Sequence, residues 1–386
     1  MQVTQILILT EAPFTKRDYD RFGVDLLRKN FHVAILDCTP WLKPEFWKKY
    51  SAIAYECAGY KQVADFESFV ANLEGSAKAL AIDFLGGGPK CAAARIQLKN
   101  RHIPRAIFLL GLLPRAKYKW SQRLRLILHS NTPRSALRKL ARRVRQLIHR
   151  EPPADLVVLT GAASLKDVRV QQTASRVWAH TFDYDVYLSN GREEPELAER
   201  YAVFLDEDMA FHPDYDHSGI KPPTTPYRYY PAMNRFFEQF ERANGMRVIV
   251  AAHPRSNYEL HPEVWSGRTL IHNKTAQLVR GADYVLGHST TSLSFAVLWR
   301  KPILFLSSKD LDKSYLGPLI ALRSSLLQRP LINVDDCSDI EPNQNGFLVV
   351  DESAYSRYVA EFIKVPGTPD IPAWQIFSEF VMRDLQ

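Results

Sequence analysis

Short apolar runs that alternate with helix-like stretches constrain this chain more than any other feature. Ile6–Leu9 and His32–Asp37 are joined by a polar, helix-like stretch from about Tyr19 to Lys29. Ser51–Ala58 and Lys78–Leu85 form a second pair around the amphipathic Val63–Leu73, and Ala106–Leu110 and Leu156–Thr160 follow as further runs. Strand, helix, strand repeated in this way predicts a parallel sheet with helices on its faces. After a Pro- and Tyr-rich connection, Pro213 to Pro231, the alternation resumes. A helix-like Ala232–Ala243 leads into Arg247–Ala252, which has a buried-strand pattern, and then into a polar loop, His253–Tyr258. Lys274–Arg280 has a helical pattern, Tyr284–Leu286 that of a strand, Ser289–Ser292 that of a turn, Ser294–Trp299 of a helix and Pro302–Leu306 of a strand. A chain of 386 residues is long for one core, so the expectation is an α/β protein of two Rossmann-like domains, residues 1–190 and 191–386.

The charge is segregated. From Phe84 to Arg150 there are 17 Lys and Arg and no Asp or Glu, which leaves 33 of the 50 basic residues to face all 42 acidic ones elsewhere. Such segregation points to an anionic partner. Within this basic insert (84–150), Asn131-Thr132-Pro133 is a helix start. After it, Leu137, Leu140, Ala141, Val144, Leu147 and Ile148 form one apolar stripe, and Arg134, Arg138, Lys139, Arg142, Arg143 and Arg145 occupy the rest of the surface. An anionic membrane surface is the partner this pattern suggests. The basic segment lacks aromatic interleaving beyond Tyr118 and Trp120, and no recognition motif is present, which argues against nucleic acid.

No apolar run reaches the ~20 residues that span a bilayer; Ala106 to Pro114, the longest, has nine. The chain opens on Ile6–Leu9 without a basic leader or cleavage site, so the expected location is cytoplasmic, peripheral at the inner face of the membrane. The four cysteines (Cys38, Cys57, Cys91, Cys337) have no CxxC spacing, which fits neither a disulfide framework nor a zinc site. His180 to Asp185 (HTFDYD) lacks a partner spacing for a metal. No metal and no cofactor are expected.

In a doubly wound sheet, ligands sit beyond the carboxyl ends of the strands. Two loops occupy that position: Ala251-Ala252-His253-Pro254-Arg255, and Gly287-His288-Ser289-Thr290-Thr291-Ser292. Hydroxyls and backbone N–H groups before a helix favour an anion, His253 and His288 can add hydrogen bonds, and Arg255 can supply a fork. This pairing resembles the two signature motifs of GT-B glycosyltransferases that use CMP-activated acidic sugars, the bacterial sialyltransferases and the transferases of Kdo and related ulosonic acids. A similar pairing occurs in CDP-glycerol-dependent teichoic acid polymerases. The resemblance covers about Met246 to Ser307, and the first half only as a generic Rossmann-like domain. It implies a GT-B fold with a cleft between the domains. It also implies a CMP-linked donor whose phosphate and ribose are held by His253-Pro254 and by Ser289-Thr290 or Thr291-Ser292.

Those sialyltransferases take their general base from an acidic motif ending in Gly in the N-terminal domain. Here the nearest cluster, Asp206-Glu207-Asp208, follows the apolar Tyr201–Leu205 and lacks the Gly. Glu11 follows the first strand, and Asp83 precedes Gly86-Gly87-Gly88. The order of candidates for the base is therefore Asp206, Glu207 and Asp208, then Glu11, then Asp83. The expected activity is transfer of an acidic sugar to a surface-polysaccharide or lipid-linked glycan acceptor. Transfer of a polyol phosphate from a CDP donor, 2-epimerisation of a nucleotide sugar, and a non-catalytic, anion-binding role in polysaccharide assembly remain the alternatives.

Overall fold

The computed structural model describes residues 2–109, 113–114, 151–173, 175–190, 197, 199–212, 215, 220–336 and 349–385. These fall into two compact units. The first holds residues up to 109, 151–185 and 364–385, and the second holds 113–114 and the described residues of 186–363. The boundary is at 185/186, and the tail belongs to the first unit rather than to the second, where a division at 190 puts it. Most of the basic insert, including Arg134, Arg138, Lys139, Arg142, Arg143 and Arg145, lies outside the described residues, as does Cys337.

The first unit is built on a seven-stranded parallel sheet. Its strands are β1 (Gln5–Thr10), β2 (His32–Asp37), β3 (Tyr60–Gln62), β4 (Ala79–Asp83), β5 (Arg105–Phe108), β6 (Leu156–Leu159) and β7 (Ser175–Trp178), in the order β3-β2-β1-β4-β5-β6-β7. Alternate side chains of each strand leave on opposite faces. Ile6, Ile8, Ile35, Leu80, Ile82 and Val158 pack one way against Val24, Leu27 and Phe377. Leu7, Leu9, Leu36 and Ala81 pack the other way against Phe69, Ala94 and Leu98. Burial on both faces is what makes these strands continuous apolar runs. Ser51–Ala58 is not a strand: Ser51–Ile53 is one 3-10 turn, and the edge strand is the polar Tyr60–Gln62.

The tail reaches this unit through its helix Ala373–Asp384, which buries Trp374 and Phe377, each contributing roughly 1.5–3 kcal/mol by burial. Trp374 Nε1–H donates to the Arg21 carbonyl at 2.8 Å. Gly23 has φ 54°, and a Cβ there would stand 2.6 Å from the Trp374 ring, so only glycine lets the helix seat. The HTFDYD motif is the dock for this tail. His180 is buried with Nε2 2.8 Å from the Ile371 carbonyl oxygen, Tyr184 donates to Asp370 at 2.7 Å, and Asp185 accepts the Ala373 N–H at 2.9 Å.

The second unit repeats the plan with six parallel strands: β8 (Tyr201–Leu205), β9 (Arg247–Ala252), β10 (Leu270–His272), β11 (Tyr284–Gly287), β12 (Ile303–Ser307) and β13 (Leu331–Asn333). Their order, β10-β9-β8-β11-β12-β13, is the order of the first six strands of the other sheet. The helix Pro226–Asn244 buries Tyr229, Met233, Phe236, Phe237 and Phe240. Among the described residues, no helix is long and apolar enough to cross a membrane.

Candidate functional site

In the second sheet the strand order reverses between β8 and β11, and the crevice beyond their carboxyl ends is where such sheets take ligands. Three of the loops singled out in the sequence leave from here. Asp206-Glu207-Asp208 follows β8, His253-Pro254-Arg255 follows β9, and His288 to Ser292 follows β11. The loops are tied to one another through the acids. Asp206 accepts the N–H of Asp208 at 2.9 Å, the N–H of His253 at 3.1 Å and the phenol of Tyr258 at 2.9 Å. Burial pushes its carboxyl up, and the N–H bonds pull it back. With its lone pairs engaged and its side chain enclosed, Asp206 is a fastener between the β8 and β9 loops and not a base facing a substrate. Asp208 has φ 49°, a left-handed backbone unusual for a non-glycine residue. The residue is 1% exposed, and its carboxyl is pushed up to about 7 by burial and by the Asp206 charge.

Glu207 reaches the other way. Its Oε1 accepts the Ser289 N–H at 2.6 Å, and its Oε2 lies 3.4 Å from Ser289 Oγ. Burial pushes it up to about 7, against the pull of the Ser289 N–H and the Arg323 charge. Arg323, buried in the helix Gly317–Leu327, donates from Nη1 to the carbonyls of Ser289 and, at 2.9 Å, Thr290. The turn is closed by the Ser292 N–H to Thr290 Oγ1 bond at 3.2 Å. Ser289, Thr290 and Ser292 are half-buried and Thr291 is exposed. On the β9 loop, His253 Nδ1 accepts the Arg255 N–H at 3.2 Å, which puts the proton of a neutral ring on Nε2. Pro254 and Arg255 are exposed.

His288 does not take part as the sequence suggests. It is fully buried, with Nδ1 2.7 Å from the Leu306 carbonyl oxygen and Nε2 2.8 Å from the Tyr229 hydroxyl. Burial pushes it down to about 4, so it is a neutral core residue that anchors the start of the turn.

Glu11 and Asp83 lie at strand ends in the first unit, where the order reverses between β1 and β4. Glu11 is 25% exposed and pairs with Lys43 Nζ at 3.0 Å. Cys91, whose thiol burial pushes up to about 11, lies 4.0 Å from its other oxygen. A Cβ at Gly86 would stand 2.6 Å from the Glu11 carboxylate, so the first glycine of the triplet makes room for that side chain. Asp83, in contrast, is enclosed between Arg95 and Arg105, each 2.7 Å away, and is a buried ion-pair centre rather than a base.

Sequence reasoning missed Arg323, Tyr258 and Lys43. Of these only Arg323 leaves a signal, a lone arginine inside the apolar Pro318–Leu327 stretch. Among the described residues, no group of three or more His, Cys, Asp or Glu could hold a metal ion.

A scan against protein-family models finds no match for this chain, and a search of curated proteins finds none either. Solved structures do resemble it. The wall teichoic acid polymerase TagF, soaked with CDPG, superposes with a TM-score of 0.52 at 9% identity over 99% of this chain and 88% of its own. The S. aureus MnaA–UDP structure gives 0.50 at 11% identity over 98% and 96%. A putative UDP-N-acetylglucosamine 2-epimerase from Listeria monocytogenes gives 0.50 at 9% over 100% and 98%. With its two parallel sheets, the chain has a two-domain α/β fold of the GT-B type.

Proposed function

We propose that this chain is a glycosyltransferase that binds a nucleotide-activated donor at the β8/β11 end of its second unit. The observation that carries the reading is the convergence of the His253 loop, the Ser289–Ser292 turn and Glu207 at one strand-order reversal. His253, Arg255 and the hydroxyls of Ser289, Thr290, Thr291 and Ser292 are the groups we assign to the donor's phosphate and ribose. Glu11, in the first unit, is the carboxylate we assign to activating the acceptor hydroxyl. The finer reading is a CMP-linked acidic sugar delivered to a surface-polysaccharide or lipid-linked acceptor; its support is the resemblance of His253-Pro254 and Ser289-Thr290 to the sialyltransferase motifs. A second reading, in which the donor is a CDP-polyol or the ligand is UDP-N-acetylglucosamine, has as its support the names of two of the solved structures above.

Calorimetric titration with CMP-, CDP- and UDP-linked donors separates these readings. His253→Ala should weaken donor binding by one to two decades, as expected for a charge-assisted hydrogen bond of ~1.5–3 kcal/mol. Unchanged affinity in both His253→Ala and Ser289→Ala would remove this site.

The basic insert adds a proposal on location, peripheral at an anionic membrane face. Each basic residue near such a surface contributes about 1 kcal/mol, falling off within ~8 Å. The protein is expected to sediment with vesicles containing anionic lipid at low salt and to be released as salt rises. Exchanging Arg138, Arg142, Arg143 and Arg145 for Gln should abolish that sedimentation; sedimentation that persists in the variant would exclude these residues as the contact.

A further inference from the structure

The Ser289 turn already holds an anion, and the anion is part of the chain. Glu207 accepts the Ser289 N–H at 2.6 Å and faces Ser289 Oγ at 3.4 Å; the hydroxyl is one of the groups that the proposed reading assigns to the ligand's phosphate and ribose, and the N–H is its neighbouring donor. Neither partner has freedom to separate through the backbone. Arg323 fixes the Ser289 and Thr290 carbonyls from beneath, and Asp206, the residue before Glu207, is locked to the β9 loop by His253 and Tyr258. Only the Glu207 side chain can give way. We propose that Glu207 is a built-in competitor for the ligand's phosphate, and that the phosphate enters the turn as Glu207 takes up a proton. The inference rests on the nucleotide reading above and extends it.

Magnitudes favour protonation. A carboxylate left charged about 4 Å from a phosphate costs roughly three decades of affinity at an effective dielectric near 20. Neutralising it near pH 7 costs little, because burial has already brought Glu207 up to about 7. Once protonated, the carboxyl is itself an O–H donor and can bond the incoming oxygen. The charged groups acting on Glu207 are Arg323, which favours its ionised form, and Asp206, which disfavours it; Tyr215 and Tyr229 add only neutral phenols. The sign follows. Well below pH 7 Glu207 is mostly protonated in the free protein and affinity levels off. Above pH 7 each binding event takes up a proton, so the dissociation constant rises with pH, up to tenfold per unit.

The test is calorimetry with UDP-N-acetylglucosamine, CDP-glycerol and a CMP-linked ulosonic acid, whose phosphate ester charges do not change between pH 7 and 8.5. A slope that comes from any group other than Glu207 survives in the Glu207→Gln variant, which separates the two. The wild type is expected to lose about tenfold or more in affinity across that pH range. It should also show heats that differ between two buffers of unlike ionisation enthalpy, by about one proton per ligand. This measurement needs no variant. Glu207→Gln should bind at least as tightly as the wild type at pH 8.5, with a flat pH profile and no buffer dependence. Tight wild-type binding without proton uptake, or a slope that survives in Glu207→Gln, would overturn the proposal and leave the nucleotide site standing. Failure of all three probes to bind at pH 6 would overturn both.

Discussion

Glu11→Gln is expected to lower glycosyl transfer by roughly 10²–10⁴-fold, the usual contribution of a positioned general base, while leaving the donor's dissociation constant unchanged. Three observations motivate this. Glu11 is reachable by solvent, unlike Asp206 and Asp83. It stands at the end of β1, where the first sheet reverses its strand order. And a glycine is placed where any side chain would collide with its carboxylate. Glutamine keeps the size and the contact over Gly86 but cannot accept a proton. The half-buried Lys43 loses a partner, and such a partly exposed pair is worth only about 0–1 kcal/mol, so folding should be nearly unaffected. The donor site proposed above lies in the other unit, which is why kcat should fall without a matching change in donor affinity. A loss of less than threefold would show that Glu11 is not the base.

The strands buried on both faces were the most legible part of the fold. Ile6–Leu9, Arg247–Ala252 and Tyr284–Leu286 carry their apolar runs because helices cover both sides. Three of the four edge strands, β3, β10 and β13, are three residues long and polar or half-exposed, so no run marks them, and Ser51–Ala58 imitates one. The tail's return to the first unit depends on Trp374 meeting Gly23 across 351 positions of sequence, a contact no local pattern encodes. At the site, the His253 and Ser289 loops could be found because strand, loop and helix follow one another directly. The Glu207–Ser289 contact spans 82 residues and exists only because β8 and β11 are neighbours. His288 was misassigned for a related reason. The groups that satisfy it, Tyr229 and Leu306, come from a distant helix and from β12, and turn a polar loop residue into a core residue.

Asp83→Asn should destabilise the protein by about 3–5 kcal/mol, the cost of breaking a buried ion pair from one side. Asp83 has no exposed side-chain surface and accepts from Arg95 Nε and Arg105 Nη1 at 2.7 Å each, as well as from the Leu85 N–H at 2.9 Å. Asparagine replaces one of those acceptor oxygens with a donor facing a guanidinium and leaves two buried positive charges with less than one compensating charge between them. Glu151, 2.6 Å from Arg95, is only partly buried and offsets part of the loss. The consequences spread from the ion pair to the chain around it. Arg105 also donates to the Pro152 carbonyl, which clamps the point where the basic insert rejoins the sheet. Arg95 donates to the carbonyls of Leu85 and Gly86 at 2.8 and 2.9 Å, which holds the loop on which the Glu11 carboxylate rests. Urea unfolding should therefore show a lower midpoint for Asp83→Asn, and the surviving folded fraction should transfer sugar more slowly while donor binding in the second unit is unchanged. Replacing Asp83, Arg95 and Arg105 together by apolar residues of similar volume should recover much of the stability, because the uncompensated charges go with the pair. A triple variant as unstable as Asp83→Asn would mean that packing, and not charge, is what this cluster provides.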